Sequence, residues 1–102
     1  MNPQRRSKPG KMRPVVVIQS QDTIDIGTSG VVIIPLTTQL LEENDMRIHV
    51  TPTQELHLKK SSDALIDQIH TLDRAYFLEH LGELPEGVFL SIREGVKFLL
   101  NL

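Results

Sequence analysis

An arginine and a threonine stand at the ends of two apolar runs and could together bind a phosphate group. Arg13 stands at the start of the run Val15–Ile18, and Thr37 follows the run Val31–Ile34 within the polar segment 35–39. If the two runs form neighbouring antiparallel strands, both side chains reach one rim of the sheet. A guanidinium with paired donors and a hydroxyl suit the oxygens of one phosphate. The alternative is structural, with an arginine that closes a loop and a threonine that caps a turn.

A third polar segment, residues 63–73, alternates apolar and polar side chains near its end. Ile69 and Leu72 fit a buried face, which leaves Asp67, His70 and Thr71 for the other face. Such a face could contact a ligand in a cleft. The pattern fits equally well an exposed edge strand that ends in an aspartate-initiated turn.

Several classes of chemistry have no support in the sequence. The chain has no cysteine, which excludes disulfides, thiolate metal sites and a cysteine nucleophile. We find no glycine-rich phosphate loop, no nucleophile elbow and no zinc-type spacing. His49 and His57 lie eight residues apart across a proline, and a metal site there would need carboxylates that the sequence cannot place. The sequence therefore predicts neither a metal nor a cofactor.

Charge is distributed unevenly along the 102 residues, although the formal net charge is only −2. Residues 1–14 carry five bases and no acid, whereas residues 15–102 carry six bases against thirteen acids, a net charge of −7. The basic end could contact a phosphate backbone, and the acidic remainder argues against broad nucleic-acid coating. The alternative is a solvated, disordered N-terminus.

The elements that would hold these residues are short strands. Residues 15–18 and 31–34 are β-branched runs typical of strands buried on both faces, and Pro35 suggests that the second ends in an edge or bulge. Residues 48–50 alternate like a half-exposed strand, and residues 64–69 predict another strand.

The rest of the chain predicts loops and one C-terminal helix. Residues 1–12 are interpreted as loop or disordered tail and residues 19–30 as loop, while residues 72–81 are ambiguous. Pro85 suits the first position of a helix. Beyond it, an apolar stripe follows helical spacing and should pack on the sheet: Val88, Ile92, Val96 and Leu99.

We therefore expect residues 1–102 to form a single, mainly β domain of four or five antiparallel strands, curled into a small barrel or sandwich, with a C-terminal α-helix. No segment is apolar enough to span a membrane, and no signal peptide is seen, so the expected location is cytoplasmic.

Three ordered motifs give the chain a resemblance to a known family. They are Pro-Gly-Lys-Met-Arg-Pro-Val-Val-Val-Ile-Gln at 9–19, Pro-Leu-Thr-Thr-Gln at 35–39 and Asp-Ala-Leu-Ile-Asp-Gln-Ile-His-Thr-Leu-Asp at 63–73. With Leu-Gly-Glu-Leu-Pro at 81–85 and its helix, the chain resembles the MazF/PemK/Kid group of toxin–antitoxin ribonucleases. The motif order argues against an unrelated small β-barrel binding module.

The resemblance implies an SH3-like barrel that works as a homodimer, with single-stranded RNA across the dimer face. It also implies a MazE-like antitoxin that blocks this groove, and operator DNA bound together with that antitoxin.

The resemblance further implies metal-independent cleavage of single-stranded RNA, in which the substrate's own 2′-hydroxyl attacks the adjacent phosphorus. Arg13 corresponds to the family's catalytic arginine, and Thr37 corresponds to its phosphate-contacting threonine. RNA-binding positions implied with less definite roles are Lys11, Thr38, Gln39, Asp67, Gln68, His70 and Thr71.

The chain departs from the family pattern near its beginning. Members usually start with a Gly-Asp-Ile strand that leads into Asn-Pro-x-x-Gly-Ser-Glu, whereas Asn2 already falls inside that element, Arg6 replaces the glycine and Lys8 replaces the acid. We expect a missing first strand, an open edge beside Val15–Ile18 and a poor enzyme. His70 could supply the lost proton-transfer group. An alternative is a catalytically inactive relative that still binds an antitoxin and operator DNA.

Overall fold

Seven strands and two helices follow one another in the described part of the chain. The structure is a computed structural model that describes residues 3–8, 11–40 and 46–102, with side chains from Met12 onward. In chain order the elements are β1 (Pro3–Lys8), β2 (Lys11–Val17), α1 (Gln21–Ile26), β3 (Gly30–Thr37), β4 (Arg47–Val50), β5 (Ser62–Leu65), β6 (His70–Asp73), β7 (Phe77–His80) and α2 (Glu86–Leu100). Two short 3₁₀ turns, Ile66–Gln68 and Arg74–Tyr76, flank β6.

Strand β3 pairs with three other strands, all antiparallel. Along one edge it pairs with β2. Along the other edge its first half pairs with β6 and its end pairs with β5. The described strands run in the order β4-β5-β3-β2-β1-β7, and this path does not close on itself. The predicted fold class, a mainly β, SH3-like antiparallel barrel with a C-terminal helix, is confirmed, with more strands than the four or five expected.

The β-branched runs of β2 and β3 separate two apolar clusters. Val16 and Ile34 point into the main core, which also receives Ile92 of α2. Their neighbours Val15 and Ile33 point to the opposite face, into a smaller cluster that Ile24 of α1 and Phe77 of β7 partly cover. The expectation that both runs are buried on both faces is therefore confirmed, since successive side chains alternate across a sheet.

Pro35 lies inside β3 rather than at its end. Ile18 donates its N–H to the carbonyl of Val32 at 3.0 Å. Because bonded and non-bonded pairs alternate along an antiparallel ladder, the Val15–Pro35 pair is a non-bonded one. The nitrogen of Pro35 therefore faces away from β2, at the point where β3 changes partner from β6 to β5, and no ladder bond is lost.

The interpretation of residues 1–12 as loop or disordered tail is wrong for the residues that the structure describes. β1 pairs with β2 from Pro3↔Val16 to Lys8↔Lys11 and pairs with β7 on its other side. The expected open edge beside Val15–Ile18 is therefore wrong too. Backbone hydrogen bonding holds β1 in the sheet, and a polar sequence hides this from hydropathy patterns. Residues 1, 2, 9 and 10 lie outside the described residues.

Two further expectations need correction. Residues 19–30 include helix α1, which Ser20 caps by accepting the Thr23 N–H at 3.4 Å and which ends at Gly27 with φ 96°. Serine favours such a capping position, and glycine tolerates positive φ. The strand expected over residues 64–69 ends at Leu65, where the 3₁₀ turn begins.

Helix α2 begins directly after Pro85 and packs against β4 and the Ile66–Gln68 turn. Val88, Ile92 and Val96 lie against the main core as predicted. Leu99 is 37% exposed, so the predicted stripe ends with Val96. A Cβ added at Gly95 would lie 3.3 Å from Ile66 Cγ1. The absence of a side chain there permits the close approach of the helix.

Candidate active site

A row of polar residues crosses the sheet on the face away from the main core. Thr37 of β3 lies opposite Asp63 of β5, and Asp63 lies opposite His49 of β4. Directly opposed residues of antiparallel strands point to the same face. The intervening positions Leu36 and Ala64 point into the main core, so Thr37, Asp63 and His49 share the other face.

Arg13 extends this row on the other side of Thr37. The β2–β3 pairing runs as far as Val15↔Pro35, and both strands continue for two more residues. Continuing the register brings Arg13 opposite Thr37. The backbone register also pairs Arg6 of β1 with Arg13. The predicted antiparallel arrangement of the two apolar runs is thus confirmed.

The side chains of Arg13 and Thr37 differ in whether they already make a hydrogen bond within the described residues. The guanidinium of Arg13 is exposed and has no hydrogen bond or ion pair with any described residue. Thr37 Oγ1 accepts the backbone N–H of Gln39 at 3.1 Å. This contact leaves the threonine hydroxyl proton available, because the oxygen is used only as an acceptor. The turn-forming alternative for Thr37 therefore holds, and it does not prevent the hydroxyl from contacting a ligand.

A buried carboxylate connects the row to the edge of the sheet. Asp63 is 7% exposed; its Oδ2 accepts from Arg47 Nη1 at 3.2 Å, and its Oδ1 lies 3.0 Å from His49 Nδ1. Arg47 Nη1 also donates to the carbonyl of Gln39 at 3.1 Å. This network of Arg47, Asp63 and His49, the β4–β5 network, ties the end of β3 to β4.

This network is not visible in the sequence as a unit. There, His49 is only a metal candidate and Asp63 is only the first residue of a motif. The one usable signal was the alternation in β4, which sets Arg47 and His49 on the same face. No pattern in one strand reveals that Asp63 of another strand stands between them.

The third predicted segment lies further along β3. His70 and Thr71 pair with Ile33 and Val32, so His70 stands four positions from Thr37, or ~13 Å along the strand. Asp67 and Gln68 lie in the 3₁₀ turn that leads to β6. In the described sheet the structure therefore separates this segment from the Arg13–Thr37 rim by one half of β3.

The details of that segment agree with an exposed edge strand, but the predicted division of its faces is wrong. His70 and Leu72 lie two positions apart in β6 and share one face, and Thr71 lies on the other. Asp67, His70 and Thr71 are exposed, and His70 Nδ1 donates to the Gln68 carbonyl at 2.7 Å. Asp73 Oδ1 accepts the Ala75 N–H at 2.8 Å, which is the predicted aspartate-initiated turn. The other predicted RNA-binding residues lie near the rim: Lys11 in β2, of which only the backbone is described, and the exposed Thr38 and Gln39.

Metal-ligating side chains do not cluster in the part of the chain that the structure describes. Among residues 3–8, 11–40 and 46–102 there is no group of three histidine or acidic residues arranged to hold an ion. His49 contacts Asp63, whereas His57 Nε2 lies 3.1 Å from the Gln54 carbonyl oxygen. Within the same ranges, no helix combines the length and apolarity needed to cross a bilayer.

Comparison with known proteins agrees with the resemblance seen in the motifs. Residues 1–100 match the family described as PemK-like, MazF-like toxin of type II toxin–antitoxin system. The chain is 35% identical over 77 residues to a probable endoribonuclease MazF of Mycolicibacterium smegmatis, which covers 76% of this chain and 69% of that protein. It is 30% identical over 105 residues to endoribonuclease MazF of Staphylococcus epidermidis, covering 100% of this chain and 84% of the relative.

The fold is also similar to that in a solved MazE–MazF structure. A structure of MazE–MazF from Deinococcus radiodurans superimposes with a TM-score of 0.80 at 23% identity, covering 99% of this chain and 93% of the matched chain. At this level of identity the comparison concerns the fold. It supports the SH3-like arrangement of strands with a C-terminal helix.

Proposed function

Because this chain belongs to the PemK-like, MazF-like toxin family of type II toxin–antitoxin systems, we propose that it is an endoribonuclease toxin that cleaves single-stranded mRNA. The observation that carries the proposal is the position of Arg13, an exposed guanidinium without a described partner beside the hydroxyl of Thr37. Two relatives of 30–35% identity carry the name endoribonuclease MazF.

The proposed reaction is internal transesterification without a metal ion. The 2′-hydroxyl of one nucleotide attacks the adjacent phosphorus, the bond to the 5′-oxygen breaks, and a 2′,3′-cyclic phosphate and a 5′-hydroxyl result. The crowded phosphorane carries extra negative charge, so preorganised donors lower the barrier most. Arg13 would stabilise that charge through paired N–H donors, and Thr37 would orient the phosphate.

The RNA would cross the face that carries the polar row. Lys11, Thr38 and Gln39 lie close to the Arg13–Thr37 rim, and the segment with Asp67, Gln68, His70 and Thr71 would contact nucleotides further along. These assignments follow the family motifs and the exposure of the side chains.

The partners follow from the family. Residues 1–102 would form one domain, which works as a homodimer in the cytoplasm, where mRNA is found. A MazE-like antitoxin would cover the RNA-binding face, and toxin and antitoxin together would bind operator DNA. The description of the family as the toxin of a type II toxin–antitoxin system supports the antitoxin partner.

The experiment is cleavage of a long, single-stranded transcript by the purified protein, with and without EDTA. We expect cuts that persist in EDTA and products with a 2′,3′-cyclic phosphate and a 5′-hydroxyl. A substrate with one 2′-deoxy nucleotide at the mapped site should resist cleavage. Loss of activity in EDTA, or cutting of the deoxy substrate, would contradict the mechanism. No cleavage at all would favour the inactive relative that binds antitoxin and operator DNA, with Lys8 in the place of the family's acid.

A further inference from the structure

The imidazole of His49 is held in one tautomer by the β4–β5 network. Its Nδ1 lies 3.0 Å from Asp63 Oδ1, and an ionised carboxylate can only accept a hydrogen bond. Nδ1 therefore carries the proton in the neutral ring, and Nε2 carries a lone pair. The side chain of His49 is 51% exposed, and Nε2 has no partner among the residues that the structure describes. The ring thus offers a proton acceptor to solvent or to a ligand.

The position of His49 fits the site of the proposed reaction. His49 lies two strands from Thr37, on the same face and in the same row, which corresponds to ~10 Å between Cα atoms. Its hydrogen bond to Asp63 directs the ring toward β5, the strand next to Thr37. Arg13 would lie on the far side of Thr37. A phosphate bound at Thr37 would therefore have a guanidinium on one side and an imidazole on the other.

We propose that His49 is the general base of the cleavage reaction, an inference that rests on the proposed function. Nε2 takes the proton of the attacking 2′-hydroxyl as the 2′-oxygen bonds to phosphorus. The bond between phosphorus and the 5′-oxygen breaks, and that oxygen takes a proton from water. The imidazolium then returns its proton to water, so one proton has moved from the 2′- to the 5′-oxygen overall. Asp63 is a positioning residue that fixes the tautomer and stabilises the imidazolium.

The other described histidines lack this arrangement. His57 and His70 have a ring nitrogen against a backbone carbonyl, Gln54 at 3.1 Å and Gln68 at 2.7 Å. A neutral carbonyl stabilises a positive ring less than a carboxylate does. His80 Nε2 lies 3.9 Å from Oε1 of Glu83, three residues further along the chain, and both side chains are exposed. Only the His49 pair combines an exposed ring with a buried carboxylate among the described residues.

The network also supplies a proton-accepting group in a chain that lacks the acid of the family pattern. Lys8 stands where the family pattern has an acid, and an ammonium cannot accept a proton. Arg47 holds Asp63 in place by donating to its second oxygen at 3.2 Å. Because both of its oxygens already have hydrogen-bond partners within the protein, the carboxylate of Asp63 orients His49 and does not itself act on the substrate.

The test compares His49→Ala and His49→Asn with the unchanged chain on the same RNA. Asparagine can keep a donor for Asp63 but has no acceptor with the basicity of imidazole. We expect both variants to lose ~10²-fold in kcat, with unchanged thermal midpoints, because a general base typically contributes 10²- to 10⁴-fold. Added imidazole should restore part of the activity of His49→Ala and none of the activity lost in Arg13→Ala, because imidazole does not replace a guanidinium. A matched control, His57→Asn, should cleave normally.

The outcomes separate this inference from the proposed function. If the unchanged chain does not cut RNA, the proposed function fails. If it cuts and His49→Asn retains full activity, or if imidazole does not rescue His49→Ala, only the assignment of His49 is overturned. In a substrate with sulfur in place of the 5′-oxygen, the 5′-thiolate leaves without the help of a general acid. The His49→Ala defect should persist on that substrate, and a defect that disappears would show that His49 donates to the leaving group instead.

Discussion

Two arginines on the same sheet are used in opposite ways. Arg47 of β4 is 14% exposed and donates to Asp63 and to the Gln39 carbonyl. Arg13 of β2 is exposed and has no described partner. The first cation is already neutralised inside the protein, whereas the charge of the second remains available for a phosphate. The comparison teaches that a cation's partners, more than its proximity to a site, decide whether it stabilises the fold or binds the substrate.

The difference has an energetic basis. Removing one partner of a largely buried ion pair leaves the other charge desolvated and uncompensated, which is costly. An exposed guanidinium keeps its water and contributes little to the fold. Mutation of Arg47 or Asp63, the largely buried pair, should therefore lower stability, whereas mutation of the Arg13–Thr37 rim should lower activity.

The largest expected effect on stability comes from Arg47→Ala, which should lower the free energy of unfolding by about 3 kcal/mol. The variant leaves the buried Asp63 without its strongest donor and frees the Gln39 carbonyl. Urea unfolding followed by circular dichroism measures the change. The exposed Arg93→Ala on α2 is the control and should lie within ~0.5 kcal/mol of the parent. Equal stabilities for Arg47→Ala and the parent would refute the structural role of Arg47.

The next effect is catalytic. Arg13→Ala should reduce the rate of RNA cleavage by ~10²-fold or more, as for loss of a preorganised donor to a developing charge. The fold should be intact, because Arg13 has no described partner to lose. Near-normal cleavage together with an unchanged far-UV spectrum would mean that Arg13 does not stabilise the transition state.

A smaller effect should follow from Arg13→Lys. Lysine keeps the charge but loses the planar pair of donors, so we expect a rate roughly tenfold below that of the parent and above that of Arg13→Ala. Single-turnover cleavage of one synthetic RNA gives the three rates. Identical rates for the lysine and alanine variants would show that bidentate geometry, and not charge, accounts for the whole contribution.

The smallest effect concerns the salt dependence of RNA binding. Arg13→Ala should reduce the slope of log binding constant against log salt by about 0.7, the value for one phosphate contact of a single strand. Arg47→Met should leave that slope unchanged, because Asp63 already neutralises its charge. Binding of a cleavage-resistant 2′-deoxy RNA at several salt concentrations measures both slopes. A reduced slope in Arg47→Met would show that Arg47 also contacts RNA phosphate, which contradicts the proposed difference between the two arginines.

The part of the site that could be predicted depended on local patterns. The β-branched runs that became β2 and β3 are strong strand signals, and their antiparallel pairing brought Arg13 and Thr37 to one rim as expected. The turn at Asp73 was visible because aspartate bonds its own backbone two residues ahead. Here residue type and near neighbours suffice, since the interactions lie within a few positions along the chain.

The parts that were missed depend on contacts distant in sequence. β1 has a polar, basic sequence, and its strand exists because β2 and β7 offer backbone partners on both sides. Helix α1 has no buried residue, and its caps give a weak signal against a polar background. Leu99 follows the helical period of α2, yet it is exposed, because burial depends on what the fold places against that turn.

Thus the amino-acid pattern was enough to establish the fold class, the family motifs and the Arg13–Thr37 rim, because hydropathy and β-propensity act locally. The β4–β5 network required the folded chain. Asp63 lies 14 residues from His49 and 16 from Arg47, and each of the three alone is an ordinary polar residue. Sheet pairing buries the carboxylate between a guanidinium and an imidazole, and the strength of that interaction comes from the removal of water. Burial of this kind is a property of the assembled strands and has no counterpart in any single segment.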